Sequence, residues 1–331
     1  MTAGPEELRA EISVVVPCHN ELDTLPELHR RIAETLDGIG VSWELVVVDD
    51  FSTDGTRDLL RGLAERDPRV RGVLLSRNFG LARAHIAALR HSSGTWTVVM
   101  DADLQDEPEA IPRMLELARE GHDVVYAVRS TRGEGPLMRF ATSAFYRIMR
   151  RISEVPHPSQ AGSFSMLSRR VVERIVSMPE RNVFFPGLRA FVGFDQAPLE
   201  IHRPAREGKP RVSVRSKLAY GLNALFAFSN APLRLATWLG MIVAGAAGVL
   251  LLVFLYFKLF TDKAIPGFTG LITVILFLGG VQLLTLGVIG EYVGRVYNEV
   301  KRRPRFVAEQ GVNLEIEEDE PAEILAAGED R

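Results

Sequence analysis

The 331-residue chain, 47% hydrophobic and 24% charged with 28 Gly and 18 Pro, is too long for one small core and too apolar to be disordered or low-complexity. Its single cysteine, Cys18, excludes an internal disulfide framework and any multi-cysteine metal site, and at the end of an apolar run it reads as a small buried residue. The net charge of −3 conceals nine acidic side chains against one basic in residues 309–331, which leaves 38 Lys and Arg against 33 Asp and Glu elsewhere. The mildly basic body suits anionic ligands or an anionic surface, with no sign of nucleic acid as a partner, and the acidic end reads as a solvated tail.

Residues 1–10 are polar, without the apolar run of a signal peptide, and are expected to be a short tail. From Ile12 short β-branched runs (12–16, 44–48, 70–75, 95–100) alternate with helical stretches (22–39, 55–66, 81–91). This alternation predicts an α/β domain over residues 11–205, with a mainly parallel sheet, helices on both faces and ligands bound beyond the carboxyl ends of the strands. The polar clusters fall at those ends: Pro17-Cys18-His19-Asn20-Glu21 after the first strand, Asp49-Asp50 after the second and Asp101-Ala102-Asp103 after the fourth. No GxGxxG follows the first strand and no Walker A sequence is present, so a dehydrogenase and a P-loop enzyme lose their main signatures.

Asp101, Asp103 and Gln105 form the sharpest feature. Carboxylates at i and i+2 leaving a strand, with a carboxamide two residues further on, supply hard oxygen ligands to Mg²⁺ or Mn²⁺, which in turn grips a diphosphate.

Beyond the domain, residues 206–233 are apolar in a pattern too short to cross a bilayer and are expected to be amphipathic helices at the interface. Residues 235–257 are 23 consecutive uncharged positions, and 268–290 form a second run after the Pro266-Gly267 breaker. Each is long enough to span, so a two-helix transmembrane hairpin is expected over 234–294. Trp238, Tyr256 and Tyr292 sit where aromatic belts form. Lys209, Arg211, Arg215, Lys217 and Arg234 precede the hairpin, and Arg295, Lys301, Arg302, Arg303 and Arg305 follow it, against only Lys258 and Lys263 between. The positive-inside rule then puts both termini and the large N-terminal domain in the cytoplasm, with 295–331 a basic then acidic tail.

The succession VVVPCHNE, VVVDDFSTDGT, LSRNFG and VMDADLQDEPE resembles the family 2 glycosyltransferases of the GT-A fold. Within that family the likeness is to the polyprenyl-phosphate glycosyltransferases related to dolichol-phosphate mannose synthase and the membrane-anchored bacterial GtrB type. Gly290-Glu291-Tyr292-Val293-Gly294-Arg295 and the basic run 301–305 resemble the same subgroup. The resemblance implies transfer of one sugar from a nucleotide-diphosphate sugar to a polyprenyl phosphate at the cytoplasmic membrane face. It assigns Pro17, Glu21, Asp49 and Asp50 to the nucleotide, and Asp101 and Asp103, with Gln105, to the metal. For Asp50 an Asx-type turn into Ser52–Gly55 is the alternative role. An acceptor phosphate is largely ionised at neutral pH, so the site needs cations more than a strong base. Arg129 and Arg132 are the expected phosphate contacts, ahead of Arg139 and Arg147.

Two departures stand out. Relatives commonly read Gly-Asp-Phe-Arg-Leu where this chain reads Gly162-Ser163-Phe164-Ser165-Met166, and Ser163 cannot serve as a carboxylate base. Relatives often show Gly-Glu-Ser-Lys-Tyr where this chain has Gly208-Lys209-Pro210-Arg211-Val212, so a cationic contact is expected to pass to Arg211, with Arg206 nearby. The resemblance also implies a homo-tetramer formed through the membrane region. The alternatives are a family 2 transferase acting on a glycolipid or polysaccharide, and a nucleotide-sugar-binding scaffold that has lost its activity. A processive synthase would carry Gln-x-x-Arg-Trp, and none of Trp43, Trp96 or Trp238 follows an arginine.

Overall fold

The computed structural model describes residues 10–129, 161–181, 183–201, 231–260 and 267–316. Those up to 201 and from 302 onward form one compact unit, and those from 231 to 301 form another. In the first unit the strands are β1 (Ile12–Cys18), β2 (Trp43–Asp49), β3 (Val70–Leu75), β4 (Trp96–Val99), β5 (Val124–Arg129), β6 (Ala161–Ser168), β7 (Gln196–Ile201) and β8 (Ala308–Val312). They make one sheet in the order β7-β5-β6-β4-β1-β2-β3-β8. β4, β1, β2 and β3 pair in parallel, as the alternation of strands and helices requires. The sheet as a whole is mixed, because β6 runs antiparallel between β4 and β5, and β8 runs antiparallel on β3.

β1 and β2 are buried along their whole length, the expected state of interior strands covered on both faces. Alternate residues feed two cores. Val14, Val16, Leu45 and Val47 pack on the side of α1 (Leu25–Ile39) and α4 (Ile111–Arg119). Val15, Val46 and Val48 pack on the side of α3 (Leu81–Arg90) and α5 (Arg169–Ser177). In α1 the buried stripe is Leu25, Leu28, Ile32 and Leu36, a helical spacing, and Gly40 closes it at φ 67° with its N–H on the Asp37 carbonyl. The helix starts at Leu25 rather than the predicted 22. The N–H groups of Asn20, Glu21 and Leu22 are instead held by Ser52, Thr56 and Asp54, which bind this loop to the one after β2.

Residues 302–316, expected as part of a tail, return to the sheet. Phe306 is buried in the core, and Arg305 caps α5 by donating to the carbonyls of Met178 and Val176 at 2.8 and 3.0 Å. Glu309 and Gln310, on the edge strand β8, meet Arg57 and Arg61 of α2 (Thr56–Arg66). The acidic count is therefore partly structural up to Ile316, and residues 317–331 lie outside the described residues.

The second unit pairs α7 (Ala231–Phe260) with α8 (Phe268–Val300). Large apolar side chains on both are exposed, among them Trp238, Ile242, Leu252, Leu283, Leu286 and Val300. Among the described residues one stretch, Phe277–Val300, has the length and composition to cross a bilayer. In α7 the qualifying apolar stretch among the described residues is the shorter Ala236–Val249, so by length and composition the described residues contain one of the two expected spans. Nearly all of the expected interface segment, residues 202–230, lies outside the described residues.

Candidate active site

The carboxyl ends of β1, β2, β4 and β5 open on one edge of the sheet. Three loops there each hold a non-glycine residue in the left-handed region: Asn20 at φ 59°, Phe51 at φ 63° and Leu104 at φ 58°. Such residues cost energy and cluster where a loop serves a ligand.

β4 runs out at Val99, opposite Ser165 of the antiparallel β6. Continuing that register by two residues brings Asp101 against Ser163, whose Oγ donates to Asp101 Oδ2 at 3.2 Å. Ser163 thus meets the first aspartate as a hydrogen-bond donor, where a carboxylate would repel it unless a cation lay between. Asp101 is 28% exposed, and its other oxygen lies 3.6 Å from His85 Nε2. Asp103 Oδ1 accepts the Gln105 N–H at 3.2 Å, and Asp106 Oδ2 accepts the Asp101 N–H at 3.1 Å. The acidic loop is therefore shaped by its own carboxylates while Asp101 and Asp103 stay partly accessible.

The expected nucleotide residues occupy the adjoining loops. Asp49 is fully buried; its Oδ2 accepts the Ser52 N–H at 3.1 Å and Arg57 Nε at 2.9 Å. The turn into Ser52 foreseen as an alternative for Asp50 is thus made by Asp49. Asp50 instead accepts the N–H groups of Phe79 and Gly80, at 2.6 and 2.8 Å, and holds the LSRNFG loop beside the first-strand loop. Glu21 accepts Thr24 Oγ1 at 2.7 Å, and Pro17 is buried at the end of β1. The acidity of this edge shows in Cys18. Burial first, then the charges of Asp49, Glu21, Asp54 and Asp50, push its thiol well above the ordinary range and keep it protonated.

Arg129 ends β5, so its backbone lies on the same edge. Arg132, Arg139, Arg147, Arg206 and Arg211 lie outside the described residues. The sequence reading missed several groups. His85 is buried, stacked on Phe185 with centroids 5.3 Å apart, and its Nε2 has no hydrogen-bond partner among the described residues. It looked like one more position in an alanine-rich helix. Arg57 joins Asp49 to Glu309, which lies 252 residues beyond Arg57 in sequence. Arg83 has its guanidinium pushed down by burial and by the nearby Arg77 and Arg181, which marks a second cationic patch beside Asp50.

The profile of glycosyl transferase family 2 matches residues 13–176, from β1 into α5. The chain is 37% identical to the uncharacterized glycosyltransferase YkcC of Bacillus subtilis, over 92% of this chain and 95% of that protein. The chain belongs to glycosyl transferase family 2. This glycosyltransferase is also 36% identical to the prophage bactoprenol glucosyl transferase homolog of Escherichia coli, over 90% of this chain and 98% of that protein. The SfII prophage-derived bactoprenol glucosyl transferase of Shigella flexneri matches at 36% over 90% and 97%. A solved mannosyltransferase from Pyrobaculum calidifontis, in complex with GDP-Man and Mn2+, overlays at a TM-score of 0.42 and 20% identity, over 86% of this chain and 76% of that one.

Among the described residues no three His, Cys, Asp or Glu side chains cluster closely enough to hold an ion unaided. Asp101, Asp103 and Gln105 are nevertheless a hard oxygen donor set on an accessible loop. They fit Mg²⁺ or Mn²⁺, ions that bind one or two carboxylates and complete their shell with substrate phosphates and water.

Proposed function

We propose that this glycosyltransferase moves a single sugar, with inversion, from a nucleotide-diphosphate sugar, a UDP-sugar in preference, to a polyprenyl phosphate such as undecaprenyl phosphate. The carrying observation is that the similarity to bactoprenol glucosyl transferases extends over 90% of the chain, past the catalytic unit and through the apolar helices. A catalytic unit joined to lipid-facing helices suits an acceptor whose phosphate lies at the membrane surface while its tail stays in the bilayer. On this reading residues 235–257 and 268–290 cross the cytoplasmic membrane as a hairpin, both termini stay inside, and copies associate through these helices.

In the reaction an acceptor phosphate oxygen forms a bond to the anomeric carbon as the bond to the nucleotide diphosphate breaks on the opposite face. The acceptor is already ionised, so Ser163 in place of a carboxylate leaves the step intact. Pro17, Glu21, Asp49 and Asp50 shape the nucleotide pocket, while Arg129, Arg132, Arg206 and Arg211 contact phosphates. Ser163 holds Asp101 in orientation, with His85 beside it. Asp101, Asp103 and Gln105 would hold Mg²⁺ or Mn²⁺, which would supply positive charge against the departing diphosphate.

The test is a membrane-fraction assay with undecaprenyl phosphate, Mn²⁺ or Mg²⁺ and a panel of UDP- and GDP-sugars, with and without EDTA. A metal-dependent, butanol-extractable sugar lipid is expected. No product from any donor, in a preparation that binds UDP, would remove the polyprenyl-phosphate acceptor.

A further inference from the structure

Arg189 heads the largest fully buried side chains among the described residues. It lies on α6 (Phe185–Phe191), where Nη1 donates to the Gly162 carbonyl at 3.0 Å and the guanidinium sits 5.1 Å from the centre of the Tyr126 ring. Nε and Nη2 are buried and have no hydrogen-bond partner among the described residues, where no carboxylate pairs with the group either. Burial pushes the guanidinium down to about 10, so it keeps its charge at neutral pH.

A buried cation without a counter-charge is costly, and an apolar side chain of similar volume would serve packing better. Its surroundings indicate what compensates it. The group it holds, Gly162, is half-buried and precedes Ser163, whose hydroxyl rests on Asp101. Arg189 therefore stands one hydrogen bond behind the segment that touches the acidic loop. The loops there are dominated by carboxylates, which repel an incoming phosphate and leave a cation on this side useful.

We propose that Arg189 is a phosphate-positioning residue of the transfer site, acting through the Gly162-Ser163 segment and compensated by a phosphate oxyanion of the bound substrates. The inference rests on the reaction proposed above, in which donor diphosphate and acceptor phosphate share this chemistry.

The test uses the full chain in detergent, comparing wild type with Arg189→Met, Arg189→Gln and Arg189→Lys. The glutamine variant keeps a donor for Gly162 without the charge, and the lysine variant keeps the charge. Thermal shifts produced by UDP with Mn²⁺, and by undecaprenyl phosphate, are read without turnover, beside KM for each substrate. The expected result is a methionine variant at least as heat-stable as wild type. Both neutral variants should lose about tenfold or more in affinity for one phosphate, the lysine variant recovering most of it. A lost UDP shift with a raised donor KM identifies the diphosphate. An intact UDP shift with weakened undecaprenyl phosphate identifies the acceptor. Wild-type shifts and KM values in the glutamine variant overturn the proposal, whether or not the methionine variant folds. An inactive wild type would instead count against the reaction, with the two binding shifts still deciding the role of Arg189.

Discussion

The two edges of the one sheet treat polar groups in opposite ways. At the amino edge, Glu44 accepts from Ser13 Oγ at 2.5 Å and from the Ser93 N–H and hydroxyl at 2.7 and 2.8 Å, and it pairs with Arg71 at 2.5 Å. Burial opposes its ionisation, but the hydrogen bonds from Ser13, Ser93 and Arg71 outweigh it and hold the carboxyl below its usual range. Asp67 likewise engages Arg69 and His29, and Asp123 engages Arg170 and Ser168. At the carboxyl edge, Asp49 Oδ1, His85 Nε2 and two nitrogens of Arg189 are buried without hydrogen-bond partners among the described residues. Native proteins satisfy buried polar groups, so a cluster of exceptions beside an acidic loop marks groups kept for ligands rather than for stability. One edge holds the fold together and the other is free to do chemistry.

The sharpest break in that comparison is Asp103→Ala. It should lower transfer at least about a hundredfold while the melting temperature stays near wild type, as measured by sugar-lipid formation and thermal unfolding. Full activity would take Asp103 out of the metal site. Glu44→Ala should do the reverse, costing about 3 kcal/mol of stability in urea titration by stripping the counter-charge from a mostly buried pair, with kcat/KM of the folded enzyme unchanged. His85→Leu keeps the packing on Phe185 but removes the neighbour of Asp101. A drop of about tenfold in kcat with little change in stability is expected, and wild-type kcat would leave His85 as a core residue. Asp67→Asn should cost least, about 1 kcal/mol at neutral pH. Arg69, helped by its own backbone N–H and by His29, holds the Asp67 carboxyl down from 3.8 to about 2. Its contribution is thus present above pH 3.8 and lost as pH falls towards 2, where mutant and wild type should converge in stability.

Much of this was legible in the sequence, because β-branched runs, helical stripes such as Leu25, Leu28, Ile32 and Leu36, and acids at strand ends are local signals. Those signals placed Asp49, Asp50, Asp101 and Asp103 on one edge. They also divided the chain into a catalytic unit and a pair of apolar helices. Roles that depend on register were not legible. Ser163 meets Asp101 across 62 residues only because β6 runs antiparallel to β4, a pairing invisible in either strand alone. Asp49 rather than Asp50 makes the turn because side chains alternate along β2, and only the folded loop shows which carboxylate faces Ser52.

The sequence by itself determined the class of fold, the acidic edge and the family, since each is written in short contiguous motifs. Tertiary structure alone decided that 302–316 returns to the sheet and adds β8 at its edge, that Arg305 caps a helix more than a hundred residues earlier in the chain, and that Arg189 is buried without a counter-charge among the described residues. The physical reason is that burial and pairing belong to the space between elements, and a sequence lists only what each element can offer to it.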